Sequence, residues 1–207
     1  EGSVTVPAHT LYDIIRKLPD GSEVEFISND GKMFSIRSGK SRFSLGCLPK
    51  EDFPIIEIGN LKSELSINAQ ILLKLIEKTR FAVSNEETRY FLNGIYFHKR
   101  SLENKQYLSM VATDGHRLAK IDYIPKENLP EIPGVIIPKK TINELCKLLS
   151  DFSGIIKINL DPNKIIFFVN KSVLVSKLID GTFPEYEKVI PTNNTNILKV
   201  NRTDFCW

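Results

Sequence analysis

The sequence contains few of the residues that build metal sites or disulfide frameworks. Its three cysteines, Cys47, Cys146 and Cys206, lie far apart and form no C-x-x-C pair, so zinc and thioredoxin-type sites have no support. The three histidines are isolated from one another and from the cysteines, which is not a spacing typical of metal ligands. We therefore expect no metal and no cofactor, and three unpaired thiols suit a reducing compartment.

Long apolar runs and nucleotide-binding motifs are also missing. The longest apolar runs, such as residues 165–169, have the length of a strand, and no signal peptide or membrane span is visible. Neither G-x-x-x-x-G-K-S/T nor G-x-G-x-x-G occurs, so a nucleotide-hydrolysing or dinucleotide-binding site has no support. The sequence predicts a cytoplasmic protein that does not enter a membrane.

Charge of one sign is not in large excess. The 28 Lys and Arg against 25 Asp and Glu leave a formal net charge of only +3, which by itself does not indicate a polyanionic partner. What matters is whether the cations gather on one side of the fold. At 207 residues the chain is long enough for one or two domains with a proper core.

Hydrophobic periodicity predicts helices over residues 7–18, 69–82 and 138–149, each with one apolar face. Asn68 is the expected N-cap of the second helix. Short apolar or alternating runs predict strands at residues 23–27, 33–37, 42–45, 65–67, 90–98, 107–112, 118–123, 155–159, 165–169 and 173–178. Helices on one side of antiparallel sheets favour an α+β fold built from two-layer domains.

The sequence repeats itself after about 130 residues. The matching pairs are Val6-Pro7 with Ile137-Pro138, Phe53-Pro54 with Phe183-Pro184, and the LSIN segment at 65–68 with LKVN at 198–201. Self-similarity at this length indicates duplicated globular domains, and copies joined head to tail close into rings or continue as filaments. We expect the second half of one unit in residues 1–58, a complete unit in 59–190 and the start of a third in 191–207.

A polar cluster surrounds one Asp-Gly step. Asp114-Gly115 separates two predicted strands, which predicts a β-hairpin because Gly accepts a positive φ without penalty. His116 with Asp114 would suggest an acid–base pair and Ser109 a nucleophile, but no G-x-S-x-G elbow or other supporting motif is present. In the alternative structural interpretation, Thr113 and His116 only hydrogen-bond the turn.

Cations lie on the outward side of the predicted helices. Lys140 and Lys147 lie opposite the apolar face of one helix, while Lys74 and Lys78 are four residues apart on another and Arg80 follows them. A solvated face would explain any one helix. Because acidic residues collect instead in strands and loops, the segregation favours contact with the DNA backbone that ignores base sequence.

Taken together, the repeat, the cationic helices and the polar turn resemble the bacterial sliding clamp family, the β subunit of DNA polymerase III. The matching stretches, in family order, are IRSGKSRFSL at 36–45, RYFLNG at 89–94, VATDGHRLA at 111–119 and DGTFPEY at 180–186. The resemblance covers the whole chain, and the set of motifs is specific although no single motif is.

The resemblance implies a homodimeric ring of two subunits joined head to tail, each with three similar domains. Helices would line a central hole around double-stranded DNA, and sheets would form the outside. This chain would contain the second half of domain one, all of domain two and the start of domain three. The implied role is a processivity clamp for the replicative polymerase, not an enzyme.

The family also has a cleft that accepts short peptides from polymerases, the clamp loader and repair proteins. In the family, the second domain forms one wall of this cleft. The matching motifs place that wall in this sequence at Leu92, Thr113, Gly115, His116, Arg117, Leu118, Pro184, Lys188 and Val189. The apolar members would form a pocket, and a few polar groups would orient the peptide. Lys188 stands where the family often has Arg, and a Lys cannot offer a bidentate fork.

Two further sets of residues follow from the resemblance. DNA contacts are expected from Lys74, Lys78, Arg80, Lys139, Lys140 and Lys147, and dimer contacts from Lys32, Lys40 and Arg42. Alternatively, the three cations expected at the dimer interface only prevent stray strand pairing at a sheet edge. Two other functions remain as alternatives: a hydrolase built around Asp114 and His116, and a peptide-binding module unrelated to DNA.

Overall fold

The computed structural model describes residues 2–28, 31–54 and 63–206. The chain divides into two compact units at the junction of Glu57 and Ile58. Residues 1–57 are called unit 1 below, and residues 58–207 are called unit 2.

Unit 1 contains one helix and two small antiparallel sheets. Helix α1 is Ala8–Arg16, and the strands are β1 (Val4–Thr5), β2 (Glu25–Ser28), β3 (Met33–Ser38), β4 (Ser41–Gly46) and β5 (Leu48–Pro49). Strand β3 lies at the centre of a three-stranded sheet, with β2 and β4 at its edges, and β1 pairs with β5. Ile36 on β3 and Leu45 on β4 are buried on the same face of the three-stranded sheet.

The apolar side of α1 is less buried than its sequence predicts. Leu11 and Ile14 are half-buried and Ile15 is 37% exposed, so no residue of α1 reaches full burial. The described part of unit 1 offers this helix few apolar partners, since its buried hydrophobic side chains are the two on the sheet. The predicted helix is therefore present, but its predicted inward face is not part of a closed core.

Between residues 63 and 206, unit 2 contains two antiparallel four-stranded sheets, two main helices and a short third helix. Helices α2, α3 and α4 are Ala69–Glu77, Lys139–Ser150 and Arg202–Phe205. Strands β6 to β13 are Ser63–Asn68, Gly94–Leu102, Lys105–Thr113, Leu118–Tyr123, Val135–Pro138, Ile155–Leu160, Lys164–Val169 and Ser172–Lys177. The strand order is β10-β7-β8-β9 in the first sheet (sheet A) and β13-β12-β11-β6 in the second (sheet B). The helices within the described ranges are too short and too polar to cross a membrane.

The main core of unit 2 lies between its helices and one face of each sheet. Ile95 and Phe97 of β7 point into this core from sheet A, and Ile156 and Ile158 of β11 point into it from sheet B. Helices α2 and α3 contact each other and cover the core with the apolar faces predicted from the sequence. Each fully buried side chain of this kind contributes about 1.5–3 kcal/mol. The α+β fold class is confirmed.

The sequence repeat is visible as recurring local structure. Pro7 immediately precedes α1 and Pro138 immediately precedes α3, and three antiparallel strands follow each of these helices. The Asn68 side chain caps α2 by accepting hydrogen bonds from two backbone N–H groups, as predicted, and Asn201 caps α4 by accepting one. Equivalent residues therefore start equivalent helices.

The strand predicted at residues 90–98 begins later than expected. Tyr90–Leu92 form a 3-10 turn, in which the N–H of Leu92 donates to the carbonyl of Arg89, and β7 begins at Gly94. Leu92 is buried as a result. A short apolar run such as residues 90–92 does not distinguish a strand from a buried turn, so the sequence predicts a strand there.

The helix predicted at residues 69–82 also ends earlier than expected. Its last helical residue is Glu77, and a separate 3-10 turn follows at Arg80–Ala82. The buried Thr79 hydroxyl lies 3.0 Å from the Leu75 carbonyl and 3.2 Å from the Ile76 carbonyl, so it can donate to these terminal acceptors. The Thr79 hydroxyl thus offers a donor to carbonyls at the end of the helix, which counting the helical period does not detect.

Replacing Asn68 with Ala should lower the free energy of unfolding by about 1 kcal/mol, because two N–H groups of α2 lose their acceptor. The Asn68 amide also donates to the Ser153 carbonyl at 2.9 Å, which adds to the loss. Urea denaturation followed by circular dichroism would measure the change. The matched control is Asn143→Ala on the exposed side of α3, which should change stability by less than about 0.5 kcal/mol. Equal effects of the two substitutions would contradict the capping role.

Candidate functional site

A segment of the chain crosses the outer face of sheet A, the face opposite the main core. After β13, Ile179 pairs with Ile136 through an isolated β-bridge, and its N–H donates to the Ile136 carbonyl at 3.0 Å. Phe183 and Tyr186 then pack into a small apolar cluster on this outer face. Residues 178–190, called the crossing segment below, thereby form one side of the candidate site.

The hairpin between β8 and β9 forms the opposite side, and its turn is closely hydrogen-bonded. Thr113 and Leu118 face each other as the last cross-strand pair. The Thr113 hydroxyl accepts from the Gly115 N–H at 3.1 Å and donates to the Arg117 carbonyl at 2.8 Å. The predicted hairpin is confirmed, with a four-residue turn whose shape is held by side chains.

The Asp114 carboxylate belongs to the turn and not to a catalytic pair. Its Oδ1 accepts from the N–H groups of His116 and Arg117, both at 3.0 Å, and its Oδ2 accepts from Arg117 Nε at 3.0 Å. The hydrogen bonds from the Arg117 and His116 backbone lower the pKa of Asp114 to about 2. Among the described residues no hydrogen bond joins this carboxylate to the His116 ring, which is exposed. The acid–base pair that the sequence suggested is not formed.

Gly115 brings the backbone of the turn close to a cationic side chain. Its φ is +91°, which favours glycine, and a Cβ at this position would overlap the Arg89 guanidinium. Arg89 is held in place by Glu86, which accepts from its Nε at 2.8 Å and from its Nη2 at 2.5 Å. The hydrogen bond from Arg89 also lowers the pKa of Glu86. A cation is thus fixed beside the glycine.

The turn and the crossing segment enclose a groove of about 540 Å³. It is lined by Arg89, Phe91, Leu92, Thr113, Gly115, His116, Arg117, Leu118, Pro184, Glu185, Tyr186 and Val189. Leu92 is buried, Leu118 is half-buried and Val189 is 68% exposed, so apolar surface runs from the floor of the groove to its rim. An apolar floor with a few polar groups at one side suits a peptide or another ligand with apolar side chains.

Eight of the nine residues expected in the cleft line this groove, and Lys188 does not. Lys188 pairs with Glu185 and lines a neighbouring cavity. The residue lies in a 3-10 turn, Tyr186–Val189, where successive side chains point in different directions, so it diverges from Val189. Lys188 is therefore not among the residues that line this groove, and its part in peptide binding stays a prediction.

Sequence reasoning missed four lining residues: Arg89, Phe91, Glu185 and Tyr186. All four lie in the two stretches, 89–94 and 180–186, that already carried the family resemblance. The signal was therefore present in the motifs. Which positions face the groove depends on the 3-10 turns on either side of it.

Three of the six cations expected to contact DNA are exposed on or at the end of the two main helices of unit 2. Lys74 and Lys78 lie on or at the end of α2, and Lys140 lies in the first turn of α3. They lie on the sides of these helices away from buried residues such as Leu72 and Leu145. Their charges are available to a polyanion that approaches the helices of unit 2.

The surroundings of the other three cations differ from one residue to the next. Lys147 is exposed but pairs with Glu144 at 2.9 Å. Lys139 is half-buried and donates to the Asn85 side chain at 2.5 Å. Arg80 is exposed at the start of its 3-10 turn. Lys139 and Lys147 therefore already contact neighbouring side chains, which reduces what they can offer to a ligand.

The three cations expected at a dimer interface all lie on unit 1 and are exposed. Arg42 lies on the edge strand β4, Lys40 lies in the turn after Gly39, whose φ is +55°, and Lys32 immediately precedes β3. Exposed cations at a sheet edge both suit an interface and prevent stray pairing. Their exposure alone does not distinguish these two roles.

Comparison with known proteins links both units to one family. The family model for the DNA polymerase III beta subunit N-terminal domain matches residues 1–57, and the model for its central domain matches residues 66–185. Among curated relatives, the beta sliding clamp of Caulobacter vibrioides is 44% identical over 99% of this chain and 55% of its own length, and that of Rickettsia bellii is 40% identical over 99% and 54%.

A solved structure shows the same similarity in three dimensions. The sliding clamp (DNA polymerase III subunit beta) from Bartonella birtlesii, bound to griselimycin, superposes with a TM-score of 0.90 at 49% identity. The match covers 99% of this chain and 55% of that one. The chain thus spans about half the length of the relatives it matches.

Replacing Asp114 with Ala should make stability less dependent on acidic pH. Because the folded state lowers this pKa to about 2 from an ordinary value of about 3.9, the ionised carboxylate stabilises the fold above about pH 4. That contribution is lost as pH falls through about 4 toward 2. Urea denaturation across this range should show the difference between wild type and Asp114→Ala shrinking as pH falls.

The matched control for this experiment is Asp114→Asn. Its amide oxygen can still accept from the two backbone N–H groups but cannot ionise. It should retain part of the stability lost in Asp114→Ala at neutral pH, and it should lack the pH-dependent part. A constant difference between wild type and both variants from pH 7 to about pH 2 would contradict the assignment.

Proposed function

Because the chain belongs to the DNA polymerase III beta subunit family, we propose that it forms part of a sliding clamp. In this proposal the protein is a cytoplasmic accessory factor that encircles double-stranded DNA and tethers the replicative polymerase to it. It catalyses no reaction and needs no cofactor. Its domains would be the second half of the first clamp domain in residues 1–58, the central domain in 59–190 and the start of the third in 191–207.

The observation that carries the proposal is the groove on the outer face of sheet A. Residues from two distant stretches, the turn at 113–118 and the segment at 184–189, converge there with Leu92. A polar network confined to a structural turn would not require an apolar groove beside it. The combination supports a site that binds peptides of polymerases, clamp-loader subunits and repair proteins.

Each part of the groove has a physical role in this proposal. Leu92, Leu118 and Val189 would take apolar peptide side chains, and burying one such side chain contributes about 1.5–3 kcal/mol. Gly115 would leave room for the Arg89 guanidinium beside the turn. Arg89 would donate to a hydrogen-bond acceptor or a carboxylate of the peptide at the rim. Since the Bartonella birtlesii relative was solved with griselimycin, we propose that this chain binds griselimycin as well.

The helices of unit 2 would supply the DNA contacts. Lys74, Lys78 and Lys140 are exposed on α2 and α3 and would contact phosphates. Arg80, Lys139 and Lys147 would add weaker contacts. Such contacts depend on summed charge, carry no sequence information and exchange readily, so a ring that uses them can slide. Lys32, Lys40 and Arg42 of unit 1 would contact the second subunit of a homodimeric ring.

The hydrolase alternative is not favoured by the geometry of the turn. Asp114 uses both carboxylate oxygens within the turn, and its lowered pKa makes it a weak base. Ser109 is buried and its hydroxyl donates to Asp122 at 2.6 Å, away from His116. These three residues do not form a nucleophile with its base.

Replacing Val189 with Ser should weaken peptide binding about three- to tenfold, because part of the apolar rim is lost. Val189 is 68% exposed, so the fold should not be disturbed. Fluorescence anisotropy with a labelled peptide copied from the clamp-binding segment of the same organism's replicative polymerase would measure the affinity. The matched control is Val173→Ser, an exposed valine on β13 outside the groove. Equal affinities of Val189→Ser and wild type would contradict the proposed cleft.

Replacing Lys74, Lys78 or Lys140 with Gln should weaken binding to duplex DNA and reduce the dependence of log affinity on log salt concentration by about one per lysine. Binding of a short duplex, titrated between about 50 and 200 mM salt, would give these slopes. The matched control is Lys177→Gln on β13, at the far edge of sheet B. An affinity for duplex that does not change with salt would favour a peptide-binding module unrelated to DNA.

A further inference from the structure

Strand β7 fastens the crossing segment to sheet A through three side chains that alternate along the strand. Tyr96, His98 and Arg100 lie two residues apart and therefore share the outer face of the sheet. Their contacts are Tyr96 with Phe183 (ring centroids 4.8 Å apart, planes 6° apart), His98 Nε2 with the Tyr186 hydroxyl at 3.0 Å, and Arg100 Nε with Glu187 at 2.9 Å. The three partners follow one another along the crossing segment in the same order as the three residues along β7.

The first two contacts belong to one aromatic cluster. The Tyr96 ring stacks on His98 at 4.3 Å on one side and on Phe183 at 4.8 Å on the other. The Tyr186 ring meets His98 edge to face at 5.7 Å and Phe183 at 6.5 Å. Stacked and edge-to-face pairs of this kind favour one mutual orientation of the rings. Phe183 and Tyr186 are therefore held by the same small group of rings.

These anchors lie on either side of the residues that form the groove wall. Pro184 and Glu185 stand between Phe183 and Tyr186, and Val189 follows within the same 3-10 turn as Tyr186. Tyr186 lines both the groove and the neighbouring cavity of about 390 Å³, whereas His98 lines only the cavity. A change at His98 would thus reach the groove through Tyr186 and not by contact with a ligand.

We propose that His98 is a positioning residue for peptide binding, which fixes the Pro184–Val189 wall of the groove through its hydrogen bond with the Tyr186 hydroxyl. The inference rests on the proposed function of the groove and adds a residue outside it. Because a displaced Tyr186 would shift Pro184 and Val189 together, the hydrogen bond should contribute to affinity for any occupant of the groove.

The surroundings of His98 keep its imidazole neutral. Burial lowers its pKa to about 4; the carboxylates of Asp122 and Glu187 oppose this effect, and the cations of Lys120 and Arg100 reinforce it. Its Nδ1 is buried and has no hydrogen-bond partner within the described ranges, so a proton there would be unsatisfied. The neutral ring can share one hydrogen with the Tyr186 hydroxyl throughout the neutral range.

A double-mutant cycle with His98→Phe and Tyr186→Phe tests the proposal. Each substitution keeps a ring in the cluster and leaves one polar group without its partner, so each should weaken peptide binding about three- to tenfold. The double variant should lose no more affinity than either single variant, because both members of the pair are then gone. The probe is the same labelled polymerase peptide, and griselimycin serves as a second probe.

Two measurements separate positioning from a general loss of structure. Urea denaturation of each variant would show whether the folded state is intact, and Tyr123→Phe on β9, whose ring packs against the main core, is the matched control that should bind the peptide normally. Nuclear magnetic resonance should find the His98 ring titrating at about pH 4.

Other outcomes are equally decisive. Single variants that are folded and bind as wild type does, or a double variant whose loss equals the product of the single losses, would overturn the role of His98. Wild type that binds neither probe would instead contradict the proposed function itself. If His98→Phe does not fold, Tyr186→Phe removes the same hydrogen bond from the other side, and unchanged affinity in that folded variant would overturn the role of His98.

Discussion

The alternation of side chains across sheet A is the constraint on which the rest of unit 2 depends. On β7, Ile95 and Phe97 enter the main core, while Tyr96 and His98 face outward and hold the crossing segment. A shift of one residue in strand pairing would exchange these two sets and remove the core and the groove at once. The same register therefore maintains both stability and the site.

The site itself is built from groups that are satisfied before any ligand arrives. Thr113 and Asp114 complete the hydrogen bonds of the turn, Glu86 holds Arg89 beside Gly115, and the ring cluster holds Tyr186. A groove prepared in this way loses little conformational freedom when a ligand binds. Its apolar surface supplies affinity, while its few polar groups can set orientation.

The charged side chains on the helices have a different role from the hydrogen-bonded polar groups of the groove. Lys74, Lys78 and Lys140 project into solvent, and exposed ion pairs such as Lys147 with Glu144 contribute little to stability, typically below about 1 kcal/mol. These charges are not required to hold the fold together. Their value lies in the potential that they create together, which suits a polyanion bound without regard to sequence.

Much of this organisation was determined by the sequence alone. The α+β class, the helix N-cap at Asn68 and the hairpin at Asp114-Gly115 follow from local periodicity and turn chemistry. Most of the groove residues follow from the resemblance to the sliding clamp family. Tertiary structure decided the rest. The turn at Tyr90–Leu92, the divergence of Lys188 from Val189 and the pairing of His98 with Tyr186 depend on contacts between residues far apart in the chain or on side-chain direction within a short turn. Local sequence patterns do not reveal these contacts, because the contacting residues meet only when the crossing segment packs on sheet A.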